Sequence, residues 1–159
     1  MRIHLCAVGR MKQGPERELI ARYLERATLS GKALRLTGFD VAELAESRAA
    51  APPARKQEEA KALRQHLPEG IIVALDEHGR SLDSDSFATQ LGRWRDDGQR
   101  TISFVIGGAD GLDPDFTAAA DLTLSFSPLT WPHQLVRIML AEQLYRATTI
   151  LSGHPYHRE

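Results

Sequence analysis

The segment Ile71-Ile72-Val73-Ala74-Leu75 is apolar at every position, which narrows the possible folds more than any other stretch of the chain. A strand with one wet face alternates apolar and polar residues, whereas an unbroken apolar run suits a strand covered on both faces, as in a parallel sheet. Parallel neighbours need crossover connections, usually helices, and the rest of the sequence supplies them. Arg2 to Val8 reads as a first strand stopping at Gly9. Gly14-Pro15 then opens a helix from Pro15 to Ala27, with Leu19, Ile20, Tyr23, Leu24 and Ala27 at three- and four-residue spacings. Ala33 to Phe39 alternates as a second strand, Asp40 to Pro53 reads as a mobile loop stopped by Pro52-Pro53, and Ala54 to Leu67 is a charged helix. The apolar strand ends at Asp76, and Glu77 to Arg80 turns the chain into a helix carrying Phe87, Leu91 and Trp94. Thr101 to Ile106 is a fourth strand and Asp113-Pro114 caps a short helix through Ala120. Leu122 to Phe126 is a fifth strand, and His133 to Leu151 is the longest helix. This order predicts an α/β fold, a mostly parallel sheet with helices on both faces.

With 159 residues the chain fits a single domain, 1–159. Its apolar runs are too short to span a bilayer, its opening lacks the pattern of a signal peptide, and the single Cys6, inside a strand, reads as a small buried hydrophobe. These features predict a cytoplasmic protein with no membrane partner. The formal net charge is -1, from 20 Lys+Arg against 21 Asp+Glu, so no global field draws in a polyanion and any nucleic-acid contact must be local.

Ligands of parallel α/β sheets bind beyond the carboxyl ends of the strands. Three such exits are unusual here: Leu75-Asp76-Glu77, Ile106-Gly107-Gly108, and the stretch from Phe126 to Trp131. Gly107-Gly108-Ala109-Asp110-Gly111 has neither dinucleotide-fingerprint spacing nor a following Lys-Ser/Thr, so it serves either a tight turn or a ligand lying against bare main chain. No metal site is expected, because His154 and His157 are separated by a proline and Cys6 has no companion thiol. A Gly-x-Ser-x-Gly nucleophile elbow does not occur. Trp131-Pro132-His133 opens the long helix, with Arg137 one turn further on. The final His154-Pro155-Tyr156-His157-Arg158-Glu159 is either a frayed end or a set of groups that stack on bases and pair with phosphates. The apolar residues of the last helix cover about half its circumference. That breadth fits burial within one subunit or sharing with a second copy in an isologous dimer.

In order, these segments resemble the RlmH family of SPOUT-class RNA methyltransferases. The resemblance rests on Leu5 to Gly9, Val73 to Asp76, Phe104 to Leu112, Leu124 to Ser127, Thr130 to Arg137, Glu142 to Ala147, and the closing His154 to Arg158. It implies a C-terminal trefoil knot, against the general rarity of threaded chains. It further implies a homodimer that uses S-adenosylmethionine to methylate N3 of a pseudouridine (position 1915, in helix 69 of 23S rRNA) in the assembled ribosome. The positions matching the family's cofactor loops are Leu75, Gly107, Phe126, Ser127, Pro128, Leu129, Thr130 and Trp131. An imide nitrogen must lose its proton to accept a methyl group, so a base or a group that stabilises the imidate is needed. The candidates are His133, Arg137, Tyr156, His157 and Arg158, with His133 at a helix N-terminus, whose dipole disfavours an imidazolium. Dimerisation would gather Arg137, Arg146 and Arg158 beside a shared cleft. The alternative is a noncatalytic ribosome- or RNA-binding module of the same fold, which need not retain affinity for S-adenosylmethionine. A nucleotide-dependent enzyme binding phosphate at Gly107 to Gly111 is a third reading, weakened by the missing Lys.

Overall fold

Five parallel strands form one sheet in the computed structural model, which describes residues 1–157. They are β1 (Arg2–Val8), β2 (Thr37–Leu44), β3 (Ile71–Ser81), β4 (Thr101–Ile106) and β5 (Leu122–Ser125), arranged β2-β1-β4-β3-β5. The apolar run of β3 lies inside the sheet, Val73 to Leu75 pairing with both β4 and β5. The helices are α1 (Pro15–Gly31), α2 (Pro52–His66), α3 (Ser84–Asp96), α4 (Pro114–Ala118) and α5 (His133–Ser152). Strand alternation sorts the core into two layers, as the sequence predicts for a sheet covered on both sides. Ile3, Leu5, Val73, Ile102 and Phe104 pack with Leu24 of α1, Leu91 of α3 and Leu140 and Leu144 of α5. Cys6, Val8, Ala74 and Val105 pack on the other face with Ala60 and Leu63 of α2 and Phe116 of α4. Burial pushes the Cys6 thiol up to about 11, against a weaker downward pull from Arg137, so this cysteine is a packing residue and stays protonated at neutral pH. No helix among the described residues is long and apolar enough to cross a membrane.

The structure corrects three boundaries. The second strand runs from Thr37 to Leu44, not from 33 to 39, because α1 continues to Gly31 and ends in a 3-10 turn, Lys32–Leu34, closed by left-handed Arg35. Asp40 to Leu44, expected in a loop, pair instead with His4 to Val8. Pro52-Pro53 begins α2 rather than stopping the chain, since a proline in the first helical turn forfeits no hydrogen bond. Finally, Asp76 to Gly79 interrupt the ladder between β3 and β5, after which Arg80 and Ser81 rejoin β5 opposite Leu124 and Ser125. Gly79 permits that approach: a Cβ there would lie 2.8 Å from the Thr123 and Leu124 backbone.

Candidate functional site

The three unusual strand exits open into one cleft of about 1270 Å³ at the carboxyl edge of β3, β4 and β5. Its floor includes Leu75 and Ile106, where the inner strands end. Beyond β4 the chain makes a tight turn, the Gly111 amide donating to the Gly108 carbonyl at 3.0 Å. A Cβ on Gly107 would lie 2.7 Å from the Gly111 carbonyl carbon and 2.8 Å from the Leu112 nitrogen, so the turn closes only over a bare α-carbon.

The opposite wall is built by short polar bonds between the segment after β5 and the interruption in β3. Ser125 Oγ lies 3.1 Å from the Glu77 carbonyl oxygen and accepts from the Ser127 amide at 3.2 Å. Ser127 Oγ accepts from the Leu129 amide at 3.0 Å, and Thr130 Oγ1 donates to Glu77 Oε2 at 2.6 Å. These bonds fold residues 125–130 back over β3 and leave Leu129 and Trp131 at the cleft mouth, 65% and 40% exposed. Leu75, Gly107, Phe126, Ser127, Leu129, Thr130, Trp131 and His133 all line the cleft; Pro128 belongs to the same loop but does not line it.

Three carboxylates, Asp76, Glu77 and Asp110, share that lining with one lysine, Lys56 of α2. Asp76 accepts from the His78 backbone amide at 2.9 Å and lies 3.0 Å from its Nδ1. Hydrogen bonding from Arg55 holds Asp110 below the usual carboxylate range. With Asp110 paired to Arg55, Asp76 and Glu77 against Lys56 leave the lining a small acidic excess, which suits a cationic ligand better than an anionic one. Among the described residues no group of three His, Cys, Asp or Glu is placed to hold a metal ion.

The remaining candidates lie elsewhere in this chain. Arg137 is 2% exposed and does not line the cleft. Its Nη2 donates to the Val8 and Gly9 carbonyls at 2.8 and 2.7 Å, and its Nη1 to Glu43 Oε1 at 2.8 Å. Expected beside a shared cleft, Arg137 is instead buried in this chain, its Nη1 and Nη2 bonded to the end of β1 and to β2 and its Nε without a partner among the described residues. Tyr156 and His157 dock on the far part of α5. Tyr156 Oη donates to Glu142 Oε1 at 3.2 Å, with its ring 4.6 Å from that of Tyr145. His157 Nδ1 is 3.3 Å from Arg146 Nη1, and its Nε2 is 3.5 Å from Asp85. Burial, followed by the charge of Glu142, pushes the Tyr156 hydroxyl up to about 12, so it stays protonated at neutral pH. Arg146 is about 20 Å along the helix axis from His133, at 1.5 Å per residue. Within one chain, the tail and the cleft are separate. Arg158 lies outside the described residues.

Sequence reading missed Lys56 and the pairing of Arg55 with Asp110, which no local pattern signals because 55 residues separate the partners. Asp110 sits within the glycine-rich segment already singled out, and its side chain was the available clue.

The chain is similar along its length to known proteins. The family model described as "Predicted SPOUT methyltransferase" matches residues 1–157. The chain is 58% identical over 159 residues to "Ribosomal RNA large subunit methyltransferase H" of Allorhizobium ampelinum, covering 99% of each protein. It is 57% identical to the protein of the same name from Rhodopseudomonas palustris, again over 99% of each. Among solved structures it shares its fold with a probable methyltransferase from Bordetella pertussis, with TM-score 0.55 and 13% identity over 92% of this chain and 95% of that one.

Proposed function

Because this chain belongs to the SPOUT methyltransferase family, we propose that it transfers a methyl group from S-adenosylmethionine to N3 of a pseudouridine in helix 69 of 23S rRNA, within the ribosome. The observation that carries this reading is the convergence of Leu75, Gly107 and the Phe126 to Trp131 segment on one cleft, in a chain that matches the large-subunit rRNA methyltransferases along its whole length. The residues present fit the cofactor. Leu75, Ile106, Phe126 and Trp131 offer apolar walls for an adenine ring, main chain beside Gly107 offers its polar groups, and the acidic lining complements a cationic centre.

When bound, S-adenosylmethionine supplies an electrophilic methyl group on a positively charged sulfur. The protein's part is alignment and exclusion of water. Leu129 and Trp131 at the mouth screen the cleft, while Thr130, tied to Glu77, fixes the loop that carries them. His133, at the cleft and at the first position of α5, is placed to take the N3 proton or hold the imidate.

The tail reaches the cleft from a second copy. Exposed Leu129, Trp131 and Leu135 offer apolar area for an isologous contact, and the tail's distance from its own cleft leaves the partner's cleft as its place of action. Arg137 supports the implied knot: the chain leaves β5 at one edge of the sheet, yet α5 is tied to the end of β1, so the connection crosses the carboxyl ends of β3 and β4. The ribosomal substrate places the protein in the cytoplasm.

Deleting Tyr156 to Glu159 is expected to lower RNA methylation by at least about 100-fold, the lower range for loss of an acid–base group. Affinity for S-adenosylmethionine by calorimetry should stay within about threefold; full turnover by the truncated protein would remove the tail from the mechanism. Calorimetry on the intact protein tests the cofactor assignment itself. Saturable binding of S-adenosylmethionine is expected, and its absence would favour the noncatalytic RNA-binding reading.

A further inference from the structure

Arg55 makes four hydrogen bonds that tie together two segments far apart in sequence, residues 49–50 and Asp110. Its Nε and Nη2 donate to Asp110 Oδ2 and Oδ1 at 2.6 and 3.1 Å, a bidentate grip on the Gly108 to Gly111 turn. Its Nη1 donates to the Ala49 and Ala50 carbonyls at 3.1 and 3.0 Å. One turn further along α2, buried Glu59 accepts from the Ser47 amide at 2.9 Å, and its Oε2 lies 3.3 Å from where a Cβ on Gly108 would stand. Two side chains of α2 therefore hold the 47–50 segment and back the glycine turn from behind. Lys56, next to Arg55, faces the cleft from the same helix.

We propose that Arg55 is a positioning residue for the cofactor site: by gripping Asp110 it fixes the Gly108–Gly111 turn, and so the main-chain surface at Gly107 that the ligand lies against. The inference rests on the methyltransferase reading for what the ligand is, but the grip itself does not. An ion pair with both side chains about one-quarter exposed contributes little to global stability. Its effect should be local: without Arg55 the turn samples other conformations, and binding is reduced by the fraction of time the competent one is present. The 47–50 segment is coupled to the cofactor site through the same guanidinium.

The experiment compares wild type, Arg55→Ala, Arg55→Lys and Asp110→Asn. Amide exchange of residues 107–111 is measured in the free protein, S-adenosylmethionine titration by calorimetry, and steady-state methylation on ribosomes. Arg55→Ala is expected to speed exchange of 107–111 at least tenfold and to weaken S-adenosylmethionine about tenfold. The effect should appear in KM for the cofactor, with kcat falling less than threefold. Arg55→Lys, which cannot span both carboxylate oxygens and both carbonyls, should fall between, and Asp110→Asn should move exchange in the same direction. Unchanged exchange in Arg55→Ala would overturn the grip. Faster exchange with unchanged affinity would overturn its role in cofactor binding. Failure of the wild type to bind S-adenosylmethionine would remove the cofactor reading, and the cofactor role with it, while the exchange measurement still decides the grip.

Discussion

Arg137→Ala is expected to destabilise the protein by about 3 kcal/mol, the low end of the range for removing one partner of a buried ion pair, because the Glu43 side chain left behind is 21% exposed. The guanidinium is 2% exposed and serves three acceptors, the Val8 and Gly9 carbonyls and Glu43. Burial lowers its pKa and the charge of Glu43 raises it. Removing it strands two carbonyls and leaves Glu43, which also accepts from the Met11 amide, with only the more distant Arg17, 4.0 Å away, as a cation. Urea unfolding provides the measurement: with slopes on the order of 1–3 kcal/mol per molar, the midpoint should fall by at least about 1 M. Arg137→Lys, which keeps the charge but cannot reach all three acceptors, should lie between. A loss below about 1 kcal/mol would show that the network contributes little and would reopen Arg137 as a residue kept for RNA.

Gly107→Ala should nearly abolish cofactor binding. The added Cβ meets backbone at 2.7 and 2.8 Å, and backbone inside a four-residue turn cannot step aside as a long side chain can. The turn must open, at an overpacking cost of about 1–3 kcal/mol. Because the displaced atoms belong to the cleft wall, affinity for S-adenosylmethionine should fall on the order of 100-fold, the equivalent of about 2.7 kcal/mol. Gly98→Ala is the control. Its φ of +81° makes alanine strained, but nothing lies within 4 Å and it is remote from the cleft lining, so it should cost stability without changing cofactor affinity. Equal affinities for wild type and Gly107→Ala would mean that the ligand does not use this turn.

Burial on both faces leaves a trace in a single sequence, which is why Ile71 to Leu75 and Thr101 to Ile106 were legible as inner strands. The edge strand β2 was not. Asp40-Val41-Ala42-Glu43-Leu44 has the polarity of a loop, and its charges are accounted for only by partners far along the chain, Arg2 and His4 for Asp40 and Arg137 for Glu43. Asp40 consequently titrates below its ordinary value, burial opposing and the hydrogen bonds of Arg2 and His4 prevailing. What these contacts add to stability is present above the unfolded-state pKa and disappears as pH falls through the lowered folded value. The cleft was legible for a different reason, since the carboxyl ends of parallel strands are where α/β sheets bind ligands, and three peculiar exits stood there in one sequence. Which arginine faces a ligand was not legible. A helical arginine has the same local pattern whether it locks a core, as Arg137 does, or grips a loop, as Arg55 does; only the fold separates the two.

The central claim is tested most directly by mass spectrometry of 23S rRNA from ribosomes lacking the modification, after incubation with the purified protein and S-adenosylmethionine. The account predicts one added methyl group at N3 of the helix 69 pseudouridine, dependent on the cofactor and lost in Gly107→Ala. Unmodified 23S rRNA at saturating cofactor, with the protein folded and bound to the ribosome, would contradict it.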